Sequence, residues 1–308
     1  MQYVTLYEVK RNLGLSNKDT DDAILQDWIV KSSELINLWK GRRYDVVREE
    51  RRYDTPVSKN LRLGDYGSAY DIDRLFNSDK PSLKVLDLLE VITLTNGDDE
   101  EIGPLKYVLK PNNTYPKNRI MLKSESPLQW VPNDDGPEEA ISLKGYFGSV
   151  TNYGTCYARS GDKLLAEIFS GDTELKVGSY AGVADDLKSP RFQAGQTLRI
   201  QSDNGTEFVF IKSIIPGETD YDDDTLEVVR GYNGTIAVDH PVDTEVYIFR
   251  PSEIVVQMCL RLVQWRYRQK DSDNFDRVYN LATQSVTTPS ALPADVYTIL
   301  GQRGRMTI

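Results

Sequence analysis

The stretch VKRNLGLSNKDTDDAILQDWIVKSSELINLWKGRRY, residues 9–44, decides how the chain is read. It reads as a short helix, a capped turn, a long amphipathic helix and an abrupt basic stop. Just upstream, Thr5 and Glu8 form a Thr-x-x-Glu capping box, which predicts a helix from Leu6 to Leu13 ended by Gly14. Asp19 or Thr20 is the expected cap of the next helix. Asp21 and Asp22 put negative charge on the positive end of its dipole. Ile24, Trp28, Leu35 and Trp39 fall on one stripe of that helix, Leu25, Ile29 and Ile36 lie beside it, and Gly41 closes it. Nothing in this hairpin is catalytic.

After Tyr44 the pattern changes. YDVVREERRYDTP alternates weakly and ends in Pro56, as a strand leaving the helical unit would. Short apolar runs then recur between Gly, Pro and Asx turns: KVLDLLEVITL, NRIMLK, AISLKGYFGSV and TELKVGS. DKLLAEIF reads as one helical piece among them. Between Phe192 and Phe249 four strands are expected, QTLRIQ, TEFVFIKSI, DTLEVVRG and TEVYIF. Asn204-Gly205 and Asn233-Gly234 are hairpin dipeptides of the type that needs positive φ.

Pro251-Ser252 opens a further helix. It is expected to carry Ile254, Val255, Met258, Cys259, Leu262, Val263 and Trp265 inward, and Gln257, Arg261, Gln264 and Arg268 outward. Two helices at the start cannot bury both stripes alone, so the early and late helices are expected to share one core. The predicted class is α+β: a discontinuous α-helical core, an inserted all-β region of one or two small barrels or sandwiches, and an extended C-terminal tail. The expected boundaries are 1–54 for the first part of the core, 55–190 for the inserted β-rich domain, 191–250 for a small β-module, 251–280 for the closing helix and 281–308 for the tail.

The chain has 308 residues and a formal net charge of -10, which argues against binding nucleic acid by general attraction. The 18 tyrosines suit exposed β-surface or contacts between chains. Cys156 and Cys259 allow at most one bridge, so no disulfide framework is expected. No apolar leader opens the chain and no run is long enough to span a membrane, so folding in a cytoplasm is expected.

Chemistry-bearing constellations are sparse. His240 is the only histidine and reads as a turn residue rather than a general base oriented by Asp239 or Asp243. The acidic run ETDYDDDTLE, residues 218–227, lacks the central Gly and distal Glu of a calcium loop. No metal, cofactor or catalytic residue is expected. Arg42, Arg43, Arg48, Arg51 and Arg52 concentrate positive charge, diluted by Glu49 and Glu50, and suit ion pairs between subunits.

Taken together, Thr5, Leu6, Glu8, Val9, Lys10 and Leu13, then Asp21, Asp22, Leu25, Ile29, Ile36, Gly41 and Arg42, with Tyr44 as the aromatic near Arg42, resemble the opening of tailed-bacteriophage head-tail connector (adaptor) proteins. RPSEIVVQMCLRLVQWRYRQKDSD is similar to that family's closing helix, and ALPADVYTILGQRGR to its ending. SLKGYFGS resembles a short aromatic-glycine motif of longer members. RGYNGTIAVDHPVDTEV is similar to a hairpin common in phage structural proteins, in which His240 is a conformational residue. The chain is about twice as long as many adaptors.

The resemblance implies a virion structural protein at the head-tail interface, assembled in the host cytoplasm. About a dozen copies would form a ring below the portal and extend the DNA channel. Its partners would be other copies of itself, the portal protein, a tail or stopper protein, and genomic DNA passing without sequence-specific contact. Gln257, Arg261, Gln264, Arg268, Arg42 and Arg43 are the expected subunit-interface or channel residues. In the tail, Leu292, Pro293, Val296, Ile299 and Leu300 are the expected apolar anchors on the portal, with Arg303 and Arg305 steering. The alternative reading is a virion-attached β-module that binds a glycan or receptor through Tyr221, Tyr232 and Tyr247. A phage-associated hydrolase ranks last.

Overall fold

The computed structural model describes residues 2–16, 18–56, 80–219, 223–270, 278–280 and 285–287, with Val296 and Thr298. The chain forms two compact units, one made of Met1–Asp45 with Gly154–Ile308, the other of Val46–Tyr153.

The second unit is a five-stranded antiparallel sheet. Its strands are β1 (Val47–Tyr53), β2 (Leu83–Thr95), β3 (Tyr107–Lys110), β4 (Lys117–Leu122) and β5 (Ile141–Phe147), in the order β1-β5-β2-β4-β3. Strict alternation in β5 buries Ile141, Leu143 and Phe147 against Leu83, Leu88, Leu94 and Ile120. Gly145 keeps the same phase: a Cβ there would sit 2.4 Å from the carbonyl oxygen of Glu90 on β2. That close approach is the structural reason for the first glycine of SLKGYFGS. Register shifts interrupt β2 between Leu88 and Glu90 and between Val91 and Thr93, next to Asp87 at φ 55. Past β2, Asn96 holds the next segment with both ends of its amide, donating to Gln129 O at 2.9 Å and accepting from Val131 N–H at 3.0 Å.

The first unit holds a six-stranded antiparallel sheet in the order β6-β11-β8-β9-β10-β7. The strands are β6 (Tyr157–Lys163), β7 (Glu174–Val177), β8 (Thr197–Ser202), β9 (Gly205–Ile215), β10 (Asp224–Val229) and β11 (Glu245–Phe249). One face buries Leu198, Ile200, Val209, Ile211, Val246 and Ile248 under Leu164, Ile168 and Phe192. In the same unit, α1 (Leu6–Leu13), α2 (Asp22–Lys40) and α3 (Glu253–Gln269) pack on one another around Val9, Leu25, Ile29, Ile36, Met258, Cys259 and Leu262. A short ladder pairs β12 (Val278–Asn280) with β13 (Ser285–Thr287).

This corrects the expected fold class. The protein is mostly β, with two large antiparallel sheets and three α-helices among the described residues, and it is not a helical-core adaptor with β inserted. The helices are the strongest local signals in the sequence, but strands hold about half of the buried apolar side chains and the three helices far fewer. The six-stranded sheet belongs to the same compact unit as the helices, and it recruits β6 and β7 from the earlier side of the expected 190/191 boundary. Side chains join the segments that flank sheet and helices there: Asn233 Nδ2, between β10 and β11, donates to Asp45 Oδ2 at 2.9 Å, and Thr5 Oγ1, at the start of α1, bonds Gln193.

Local expectations divide. The capping box of Thr5 and Glu8 is formed in both directions, and Gly14 and Gly41 terminate their helices in the left-handed conformation. The second helix is capped by Asp21, not by Asp19 or Thr20 as expected, and without a side-chain hydrogen bond. Its buried seam is Leu25, Ile29 and Ile36, with Ser32 and Ser33, whereas Ile24 and Trp39 are 45% and 43% exposed. DKLLAEIF is not helical. Leu164, Leu165 and Ile168 give their N–H groups to Thr244, Lys176 and His240 carbonyls, so strand neighbours outcompete the local helical bonds. At Asn204-Gly205 the positive φ falls on Gly205 and not on Asn204, and Asn204 Nδ2 bonds Asp239 O. Asn233 and Gly234 are both at positive φ, but the turn leads from β10 to β11, which are not neighbours in the sheet.

Candidate interaction surface

Helices α2 and α3 run antiparallel. Ser33 Oγ lies 3.6 Å from Cys259 Sγ at mid-length, and Asp21 at the start of α2 accepts from Tyr267 Oη at 2.9 Å and Lys270 Nζ at 2.5 Å at the end of α3. Ser33 donates its own proton to Ile29 O at 2.9 Å, so the thiol of Cys259 is the donor to Ser33. Burial pushes both thiols, Cys156 and Cys259, up to about 12, and neither is a reactive nucleophile.

The sequence-selected stripe lies on the outside of α3. Gln257, Arg261 and Arg268 are exposed, Gln264 is half-buried, and Arg261 Nη1 donates to Gln264 Oε1 at 3.4 Å. Ile254, expected inward, is 49% exposed, and Trp265 is only half-buried. Trp265 joins Ile24 and Trp28 in an open apolar groove between α2 and α3, rimmed by Lys31, Arg266 and Lys270. Trp28 meets Tyr267 edge to face at 6.4 Å. Sequence reading missed this groove. Its signal was the double stripe on α2: one helix partner covers only one of two apolar faces.

Arg42 is half-buried. Arg43 forks onto Asp45, at 3.0 Å from Nε and 2.6 Å from Nη2, and reaches Asn233. Arg51 pairs with Glu49, donates to Leu86 O and lies 3.9 Å over the Phe147 ring. The structure thus engages Arg43 and Arg51 within the chain, where contacts between subunits were expected. Of the tail residues, Val296 is 1% exposed and packs into the helical cluster, so its side chain is already covered by its own subunit. Leu292, Pro293, Ile299, Leu300, Arg303 and Arg305 lie outside the described residues.

His240, expected as a turn residue, lies between β10 and β11. It is fully buried, with Nδ1 2.8 Å from Ser202 Oγ and Nε2 3.3 Å from Glu207 Oε2, and its backbone bridges to Ile168 in both directions. Glu207 also accepts from Arg230 through two 2.7 Å bonds, from Gly231 N–H at 2.8 Å and from Val238 N–H at 3.2 Å. Burial raises the pKa of the Glu207 carboxyl, but the contacts from His240, Arg230 and Gly231 outweigh it and hold the group at about 2. A hydroxyl, an imidazole and a carboxylate in a row are the parts of a nucleophile relay. Here His240 and Glu207 are both at 0% exposure, so no substrate reaches the imidazole. The cluster fastens residues 230–240 onto β9. It is a clamp.

Asp224, from the acidic run, accepts from Tyr180 N–H and Gly217 N–H at 2.7 and 2.8 Å, so its carboxylate is committed to backbone. Of the candidate sugar-stacking rings, Tyr221 lies outside the described residues. Tyr232 stacks on Phe210 at 5.1 Å, and Tyr247 has Arg199 over its face at 4.9 Å, so each has one ring face occupied. No protein-family model matches the chain. No curated protein matches it either.

Proposed function

We propose that this protein is a virion structural protein of a tailed bacteriophage, a head-tail connector subunit built mainly of β-structure. The observation that carries the reading is the pairing of the two chain ends that resemble connector sequences: α1 and α2 pack on α3 across the intervening chain. Packing of this kind leaves a polar outer stripe, Gln257, Arg261 and Arg268, and an apolar groove beside it. Such a surface suits assembly with other copies or lining of a passage. In this reading about a dozen copies form a ring below the portal, meet a tail or stopper protein on the other side and let DNA pass. The acidic balance of the chain, net charge -10, keeps that passage from gripping DNA. The subunit catalyses no reaction in this role.

The test is negative-stain imaging of the full chain incubated with the portal protein of its phage. A closed ring on the portal is the expected result, and absence of any portal-bound density overturns the proposal. Reversing charge at Arg261 and Arg268 together is expected to reduce ring formation.

A further inference from the structure

Leu187 stands out among the apolar side chains of the first unit. It is 85% exposed and sits at φ 64, a left-handed conformation that a branched side chain seldom adopts. Two backbone bonds fix the loop that presents it, Leu187 N–H to Ala184 O at 2.9 Å and Ala184 N–H to Lys188 O at 3.0 Å. Asp186 is tied to Arg250 at 2.8 Å, and Asp185 lies 3.9 Å from Arg159 Nε in a looser pair, with its side chain 55% exposed. Val183, 53% exposed, widens the apolar tip. A glycine would relieve this backbone at no steric cost, and the chain instead holds a leucine out into solvent.

The Trp28–Trp265 groove is complementary in kind: apolar at its floor, with Arg266 at its edge beside Lys31 and Lys270, which are paired with Asp27 and Asp21. The two features lie at opposite ends of one helix. Lys188, next to Leu187, approaches Glu253 at the start of α3 at 3.7 Å, whereas Trp265 and Arg266 are in its last turns. Seventeen residues of helix separate these ends by roughly 25 Å. A knob and a groove so far apart on one subunit cannot meet within it, but each can meet its counterpart on a neighbour. That is the requirement of a heterologous, head-to-tail contact.

We infer that the Leu187 loop of one copy seats in the Trp28–Trp265 groove of a second copy of this chain, with Asp185 facing Arg266. This names one contact of the assembly proposed above and rests on that reading for its biological setting. The contact itself can be tested without the portal.

Full-length Leu187→Cys and Ile24→Cys chains are mixed at high concentration under mild oxidation. The native cysteines are buried and leave the background low. The expected result is a disulfide between the two variants, with far less product from either alone. Arg266→Glu in the Ile24→Cys chain should slow it about tenfold, and Asp185→Arg in the partner should restore it. In parallel, Leu187→Gly should weaken self-association of the otherwise unaltered chain in sedimentation velocity, without lowering its melting temperature. No mixed disulfide, or equal yields from the single variants, overturns the inference. A portal-bound ring without the mixed disulfide sinks this contact and leaves the connector role standing. The disulfide without a ring does the reverse.

Discussion

Arg230 grips Glu207 through two parallel hydrogen bonds, Nε to Oε1 and Nη2 to Oε2, both 2.7 Å, with the carboxylate wholly out of solvent. Removing one partner of a buried pair leaves an uncompensated charge. Arg230→Met is therefore expected to cost about 3–5 kcal/mol in chemical denaturation. The double variant Arg230→Met with Glu207→Leu should cost clearly less than the two single losses added together, because it also removes the stranded charge. Simple additivity would show that the pair does not act as a unit.

The same carboxylate sets an acid limit. Its folded pKa, about 2, lies below its ordinary value of 4.5, so it stabilises the fold above about pH 4.5. That contribution, on the order of 3 kcal/mol, is lost as pH falls from about 4.5 through 2. Melting temperature followed across this window should fall more steeply for the unaltered chain than for Glu207→Gln. Identical slopes would remove Glu207 as the cause.

In α2 the seam predicts a sharp contrast. Leu25→Ala or Ile29→Ala, both at 0% exposure, should cost about 2–5 kcal/mol. Trp39→Ala, which the sequence alone marks as a core truncation, should cost clearly less than either, because 43% of that side chain is exposed. Equal losses at Leu25 and Trp39 would mean that the helix is rotated from its observed setting.

Gly145→Ala tests the second unit. The added methyl would meet the Glu90 carbonyl of the neighbouring strand at 2.4 Å, a backbone atom that cannot rotate away. A loss of about 1–3 kcal/mol is expected, as for other overpacked cores. Unchanged stability would show that β2 can shift there.

Much of the local structure was legible. Thr5, Glu8, Gly14 and Gly41 carry their own geometry, so the first two helices could be read almost to the residue. Strands β8 to β11 were visible as alternation between turn signals. The side of α2 that faces inward was not, since two apolar stripes look equivalent until a partner selects one. DKLLAEIF failed for a related reason: its hydrogen-bond partners, Thr244 and His240, are remote in sequence. Glu207 and Arg230 could not be paired from sequence, although a glutamate inside TEFVFI is a charge in an apolar strand and so asks for a buried counter-ion. The fold class was misjudged because helical ends announce themselves locally, while a six-stranded sheet drawn from residues 157–249 does not.

Asparagine followed by glycine is the dipeptide at which proteins age fastest. The glycine nitrogen attacks the side-chain carbonyl, the ring closes as a succinimide, ammonia leaves, and hydrolysis deposits a negative charge, with an extra backbone carbon where the ring opens to isoaspartate. The chain has three such dipeptides, at Asn96, Asn204 and Asn233. Ring closure needs the amide to swing onto the next nitrogen, and each of the three is tethered elsewhere: Asn96 to Gln129 and Val131, Asn204 to Asp239, and Asn233 to Asp45 and Arg43. The bonds that hold these loops in shape also restrain the swing of the amide that this chemistry requires.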